Sequence, residues 1–186
     1  MEAALRILKY LKNAPGQGLF FSAENNLKLH AYCDSDWDGC PMTRRSTTGY
    51  CVFLGNSLIS WRTKRQKTVS LSSAEATYRA MTGACCELTW LRSLLRDLHL
   101  PHPEASFLHC DNKVALHIAA NPIFHDRTRH IVMDCHFIRD LQDGAISTKF
   151  IPSSHQPADM FTKPLGKDPF LSMLGKLGVL DIHSPT

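Results

Sequence analysis

Apolar and polar positions alternate with two different periods along this chain, and the switches between them mark out its elements. Over Met1–Asn13 the apolar residues Leu5, Leu8 and Leu11 recur at helical spacing, with Arg6, Lys9 and Lys12 on the other side, which predicts a short basic amphipathic helix. Pro15 and Gly16 stop it. Over Leu27–Cys33 the period drops to two, with Leu27, Leu29, Ala31 and Cys33 on one face of a strand. Gly49–Leu54 and Leu58–Arg62 follow as strands joined through Gly55 and Asn56, a connection of hairpin type. Three neighbouring strands with short links predict an antiparallel meander.

The helical period then returns. From Ser72 to Leu98 the residues Met81, Ala84, Cys85, Leu88, Leu91, Leu95 and Leu98 form one stripe, while Glu87, Arg92 and Arg96 fall mostly elsewhere. Pro101 and Pro103 end this longest helix. Ser106–Cys110 reads as a short strand, Asn112–Ala120 as a short helix closed by Asn121 and Pro122, and Arg127–Leu141 as a helix broken by Gly144. Ala145–Ile151 is a last strand, and Pro157–Thr162 opens a further helix. No internal repeat or low-complexity segment interrupts the series. Three strands, then helices alternating with strands, imply an α/β fold: a mixed sheet with helices on its faces.

Composition agrees with one globular unit. The 186 residues are 44% hydrophobic and 20% charged, enough to bury a core and unlike disordered or fibrous chains. No apolar stretch nears the roughly 20 residues that span a bilayer, and no signal-peptide pattern marks the start, so no membrane partner and an intracellular place, cytoplasmic or nuclear, are expected. Seven scattered cysteines read as reduced, mostly buried thiols rather than a disulfide framework. A net charge of +4 permits a polyanionic partner without demanding one.

The chemistry is concentrated in four carboxylates at element boundaries. Asp34 follows the first long strand, Glu75 stands in the first turn of the long helix, Asp111 follows Ser106–Cys110, and Asp159 opens the last helix. Strand ends and helix starts of an α/β sheet are where ligands bind. Four carboxylates brought together raise one another's pKa, and divalent cations relieve that repulsion; oxygen-only ligands select magnesium or manganese. Two such ions about 4 Å apart clamp the attacking and leaving oxygens of a phosphodiester. Each residue also has a local use. Asp34, Asp36 and Asp38 are turn formers, Ser72 to Glu75 is a capping box, and Asp111 with Asn112 is a helix N-cap pair. Spacing alone does not show that the four converge.

The motifs are specific as a series. Tyr32 through Gly39 (YCDSDWDG), Arg44 through Tyr50 (RRSTTGY), Ile59-Ser60-Trp61, Lys64-Arg65-Gln66 and Ser72 through Ala76 (SSAEA) come in order. They are followed by Cys110-Asp111-Asn112, Asn121-Pro122, His125 through His130, His136 through Arg139, and Ala158 through Leu165 (ADMFTKPL). Over nearly the whole chain this series resembles the ribonuclease H domain of copia-type retrotransposons. The resemblance implies a ribonuclease H-like fold with a five-stranded mixed sheet flanked by helices. It also implies an enzyme that hydrolyses the RNA strand of RNA–DNA hybrids with two Mg2+ ions, Mn2+ serving as substitute, and leaves a 3′-hydroxyl and a 5′-phosphate. Asp34, Glu75, Asp111 and Asp159 correspond to the family's metal-binding carboxylates, with Asp36 the alternative to Asp34, since an alternating strand puts both on one face. Residues 1–26 resemble the tail of the connection to reverse transcriptase, which would be a polyprotein partner. Residues 27–166 form the ribonuclease H-like domain, and 167–186 a C-terminal helix and tail. An inactive or domesticated remnant that binds without cutting, and a nuclease for duplex RNA, are the rival readings.

Some residues depart from the family pattern. Thr77 stands where the family often has glutamate, Asp38 where it often has alanine, and Arg129 where lysine is common. Between Arg139 and Gly144 the chain is one residue shorter than many relatives, a loss that turns a helix end by about 100°.

Outside the carboxylates, Trp61 through Lys67 (WRTKRQK) packs Arg62, Lys64, Arg65 and Lys67 beside an aromatic. Its plain reading is a solvated hairpin tip; in a hybrid nuclease it would contact phosphates without reading sequence, with Arg44 and Arg45 as weaker candidates. His155, four residues before Asp159, matches in type the mobile histidine that related ribonucleases H place before their last aspartate, and would help proton transfer; a plain loop histidine is the alternative. His125, His130, Cys135 and His136 fit no compact zinc spacing. Trp37 and Trp90 read as core or support residues.

Overall fold

A computed structural model describes residues 1–120 and 144–183. The expected helix over Arg127–Leu141, the Asn121-Pro122 stop, Arg129, Cys135 and the histidines at 125, 130 and 136 lie outside the described residues.

In chain order the elements are α1 (Glu2–Asn13), β1 (Gln17–Leu19), β2 (Leu29–Asp36), β3 (Thr47–Leu54), β4 (Ser57–Arg65), α2 (Ser73–Asp97), β5 (Ser106–Cys110), α3 (Lys113–Ala120), β6 (Ile146–Phe150), α4 (Lys167–Lys176) and β7 (Val179–Asp181). Two 3-10 turns, Ser153–His155 and Pro157–Phe161, lie between β6 and α4. The second stands where the sequence predicts a helix to open. The main sheet has five strands in the order β4-β3-β2-β5-β6. β2, β3 and β4 pair antiparallel as the predicted meander, and β5 and β6 add to β2 in parallel. Gly55, at φ +57, makes the tight β3–β4 turn that a residue with a Cβ would resist.

β2 runs further than its pattern predicts and carries Asp34 inside the strand rather than after it. Its start is also shifted: Leu27 lies outside the strand, at φ 52 and 41% exposed, so the buried face is Leu29, Ala31 and Cys33. These three pack against the α2 stripe of Met81, Ala84, Cys85, Leu88, Leu91 and Leu95, with Leu108, Ala115 and Ile146 completing the core. Each fully buried aliphatic side chain there contributes about 1.5–3 kcal/mol. A smaller cluster on the other side of the sheet joins Cys51, Phe53 and Leu58 to Ala158 and Leu177, with Leu19 and Val179 packed onto it.

Leu19 and Val179 belong to a second, two-stranded sheet in which β1 pairs antiparallel with β7, Gln17 opposite Asp181 and Leu19 opposite Val179. No alternation in the sequence predicts it. The α1 helix forms as expected, yet Leu5, Leu8 and Leu11 are all at least half exposed; its ring contact is Tyr10 on Phe170 of α4.

Neither Trp37 nor Trp90 is a core residue, which corrects that part of their reading. Trp37 is 47% exposed beyond the end of β2, its indole N–H donating to the Ser70 carbonyl at 3.1 Å, and Trp90 is 58% exposed. Trp90 lies two residues, about 200° of helix, from buried Leu88, so the face that buries the stripe turns it outward. The described cysteines are free thiols, buried at 33, 51, 85 and 110, partly covered at 40 and exposed at 86. No described helix is long and apolar enough to cross a membrane.

Candidate metal centre

β2 and β5 are adjacent and parallel, with Cys33 opposite Cys110. The residues after these two, Asp34 and Asp111, therefore stand side by side at one end of the sheet. The turn Pro157–Phe161 brings the third carboxylate. Its N-cap, Gln156, is fully buried and donates from Nε2 to the Cys33 carbonyl at 3.0 Å, while its Oε1 accepts from the Ala158 N–H at 3.3 Å. One side chain thus ties the turn carrying Asp159 to the strand carrying Asp34.

Gly49 allows the approach. It pairs with Asp34 across the sheet, and a Cβ there would lie 2.5 Å from Thr162 Cγ2 and 2.9 Å from Phe161 Cβ. As a result, carboxylate oxygens of Asp34, Asp111 and Asp159 all lie within 4.8 Å of one another. Asp34 and Asp159 are buried, and Asp111 is partly covered.

Each of the three is held. The Thr162 hydroxyl donates to Asp34 Oδ2 in a short contact, and the Ser153 hydroxyl donates to Asp111 Oδ2 at 2.7 Å. Lys163 Nζ stands 3.2 Å from Asp34 Oδ2 and 2.8 Å from Asp159 Oδ1. Burial pushes the Asp159 carboxyl up to about 6; the bond from Lys163 opposes this, and the charges of Asp34 and Asp111 add to it. Burial alone would pull the Lys163 ammonium down, but its bond to Asp159 and the charge of Asp34 hold it above its ordinary value. Among the described residues the donor set is oxygen-only, crowded and negative, which fits a hard divalent cation such as Mg2+ or Mn2+.

Glu75 is outside this group. The cap expected of Ser72 forms, the Ser72 Oγ accepting from the Glu75 N–H at 3.2 Å. The Glu75 carboxylate turns to local partners: Oε1 accepts from Arg79 at 2.7 Å, and Oε2 from the Leu71 N–H at 2.7 Å. The α2 side chain that reaches the strand ends is Thr77, buried, its Oγ1 3.0 Å from Ser35 Oγ and 3.5 Å from Asn112 Nδ2. Ser35 and Asn112 are the residues next to Asp34 and Asp111. Asn112 also caps α3, accepting from the Ala115 N–H at 3.0 Å.

Asp36 shares a β2 face with Asp34 but is not in the group of three. Its carboxylate lies over Gly39, and its pKa is raised by burial and then by the charges of Asp34 and Asp38, against Lys163. His155 is exposed, with Nδ1 3.0 Å from Ser154 Oγ. Lys163, Thr162, Gln156 and Gly49 also hold the centre and are not singled out by sequence reasoning, although Thr162 and Lys163 lie within the ADMFTKPL motif and Gly49 within RRSTTGY. A lysine four residues after an aspartate is the signal that could have found one of them.

The basic run is not at a hairpin tip. β4 continues to Arg65, so Arg62, Lys64 and Arg65 occupy the exposed far half of an edge strand and Lys67 follows it. They line a cleft of about 540 Å³ against α2, shared with Tyr50 and Arg79. Arg44 is paired with Asp38 on the loop after β2, and Arg45 is exposed beside it.

No protein-family model matches the chain. It is 42% identical over 180 residues, 96% of its length, to the "Retrovirus-related Pol polyprotein from transposon RE1" of Arabidopsis thaliana. It spans 12% of the length of that relative. Among solved structures it resembles the N-terminal RNase H domain of a Mycobacterium tuberculosis protein, at TM-score 0.54 and 12% identity, over 81% of this chain and 98% of that one. It also resembles LC11-RNase H1, solved in complex with an RNA/DNA hybrid, at TM-score 0.51 and 11% identity, over 73% and 94%.

Proposed function

The chain belongs to the copia-type retrotransposon Pol family, in the stretch with the ribonuclease H fold, and from that premise we propose that it hydrolyses the RNA strand of RNA–DNA hybrids during reverse transcription. The observation that carries the reading is the convergence of Asp34, Asp111 and Asp159 at one sheet end. These three would hold the divalent ions, Mg2+ with Mn2+ as substitute; Glu75 would join them only by leaving Arg79 and the Leu71 N–H. When bound, such ions activate a water and stabilise the leaving oxygen of an in-line displacement at the phosphodiester, giving a 3′-hydroxyl and a 5′-phosphate.

The protein's own groups prepare that chemistry. Thr162 fixes Asp34, Ser153 fixes Asp111, and Gln156 fixes the turn carrying Asp159. Arg62, Lys64, Arg65 and Lys67 supply phosphate contacts along the hybrid, with Arg45 beyond them, while groove shape and ribose 2′-hydroxyls identify the cleaved strand. His155, on the exposed turn ahead of Asp159, would carry protons to or from the reacting oxygens. The rest of a Pol polyprotein, including its reverse transcriptase portion, is the proposed partner.

A second reading has one observation in its favour. With Glu75 engaged by Arg79 and Thr77 at the strand ends, the chain would bind hybrid without cutting it. Purified chain, labelled hybrid and Mg2+, run beside Asp111→Asn, separate the two. Cleavage that disappears in the variant supports the enzyme. Retention of hybrid with no cleavage by either form supports the binder, and faster cutting of duplex RNA would replace the substrate.

A further inference from the structure

We infer that the face of the main sheet turned away from α2 is a separate surface for an unpaired nucleic-acid strand, which it takes by stacking bases and meeting phosphates. The inference starts from the alternation of β2 and β5. Leu29, Ala31 and Cys33 of β2, with Leu108 and Cys110 of β5, pack into the core that α2 covers. The residues between them, His30, Tyr32, Phe107 and His109, therefore project from the opposite face. Strand register sets them in rows. Phe53, His30 and Phe107 stand side by side on β3, β2 and β5, and in the next row Tyr32 stands beside His109, with Lys149 of β6 beyond it.

The rings order one another. His30 stacks on Phe53 with ring centres 5.2 Å apart, Tyr32 stacks on His109 at 4.7 Å, and His30 meets Tyr32 edge to face at 5.7 Å. Phe53 is buried, while His30, Tyr32, Phe107 and His109 stay partly exposed. They floor two clefts, of about 670 and 530 Å³, that both include His30 and Tyr32 and so join over β2. Each is of ligand size. One cleft reaches His155 and Pro157, close in the chain to Asp159, and the other reaches Pro101 and Pro103, ahead of β5.

Charge selects the occupant. Lys176 lines the first cleft and Lys28 the second, and Lys149 Nζ stands 3.4 Å above the Phe107 ring. The one carboxylate among the described lining residues, Glu104, is paired with Lys28 at 2.8 Å. The rim therefore keeps an excess of positive charge, which an apolar protein partner would not need. An aromatic floor under a cationic rim suits an unpaired strand, because every base has a face that stacks and every phosphate a charge. A duplex hides its base faces within its own stack, so it gains little here and is left to the exposed half of β4.

Fluorescence anisotropy tests this on the full chain, with a labelled single strand of DNA of about 12 nucleotides. EDTA is present, so that neither metal nor cleavage enters, and circular dichroism establishes that each variant is folded. The strand binds. His30→Leu and Phe107→Leu, which keep an apolar side chain and lose the flat ring, each weaken it about fivefold or more, and a sugar-phosphate strand of the same length without bases is weakened at least as much. Lys149→Ala, at an exposed position, lowers the log–log salt slope by about 0.7 and keeps the test decisive if a ring variant does not fold. The combined Lys64→Ala, Arg65→Ala and Lys67→Ala change costs the single strand less than it costs a hybrid. Equal binding of the baseless strand, loss of the single strand in the β4 variant alone, or no binding at all would overturn the inference. So would a nucleoside monophosphate that binds as tightly as the strand, which would make the clefts a nucleotide pocket. A chain that is dimeric until His30→Leu parts it would overturn it too, giving the face to a second copy.

Discussion

Two charged regions of this molecule are built in opposite ways. The acidic centre places three carboxylates within 4.8 Å of one another and fixes each with a named partner, Thr162, Ser153 or Lys163. The basic stretch of β4 leaves Arg62, Lys64, Arg65 and Lys67 exposed along an edge strand. A carboxylate that must share an ion with two others needs a fixed position, and burial raises the stakes of any misplacement. A cation that meets a phosphate backbone needs only to be near it, because the gain comes largely from displaced counterions. Precision is concentrated at the sheet end and charge alone at the sheet edge.

The strongest way to break this contrast is to remove a fixed charge. Asp34→Asn or Asp111→Asn is expected to lower hybrid cleavage roughly 100-fold or more, above the range for groups that only orient a metal ligand, measured by initial rates in Mg2+. Next in size is a change that keeps every carboxylate and spoils only their spacing. Gly49→Val drives a side chain into Thr162 and Phe161, so Mn2+ affinity should fall by about 10–100-fold while the circular dichroism spectrum is retained. A silent Gly49→Val would show that close fixation is not what the centre needs.

Acidity sharpens the comparison more gently. Asp159 keeps its proton up to about 6 in the folded chain against an ordinary 3.8. Because this folded value is raised, the metal-free fold gains stability as pH falls from about 6 towards 3.8, and loses that gain as pH rises through the same window. Metal needs the ionised form, so divalent affinity should drop by up to about tenfold per pH unit below 6, followed by calorimetry across that range. The basic edge should behave differently. The combined Lys64→Ala, Arg65→Ala and Lys67→Ala change is expected to weaken hybrid binding and flatten its salt dependence, by a log–log slope of about 0.7–0.9 for each phosphate no longer neutralised. Mn2+ uptake should stay as it was, and a change there would show that the two regions are not separable.

Much of the fold is legible because it repeats. The α2 stripe, the meander and the Gly55-Asn56 turn are periodic or local signals, and their elements form within a few residues of where the pattern puts them. Leu27 misleads because one apolar residue continues an alternation on paper while its backbone has already left the strand. The β1–β7 pair is invisible, since three-residue strands carry no period and their pairing spans most of the chain. At the centre, the motif series points to Asp34, Asp111 and Asp159, but their meeting depends on strand order and on the buried Gln156. Glu75 and Thr77 lie in the same stretch of helix; the Ser72 cap on Glu75 is legible as a local signal, but that Thr77 rather than Glu75 meets the strand ends is not. That depends on rotation about the helix axis, which the buried stripe of α2 against the sheet sets.

The β1–β7 ribbon has a consequence for how the centre is supported. Phe20 N–H donates to the Gly178 carbonyl at 2.9 Å and Ile182 N–H to the Gly16 carbonyl at 3.0 Å, while Leu19 and Val179 lie against the cluster that holds Ala158, next in the chain to Asp159. The wall behind one aspartate of the carboxylate centre is therefore made by residues far upstream and far downstream of it. A protease cut near residue 20, beside a strand that carries none of the three carboxylates, would loosen the backing of that aspartate and blunt the centre from behind.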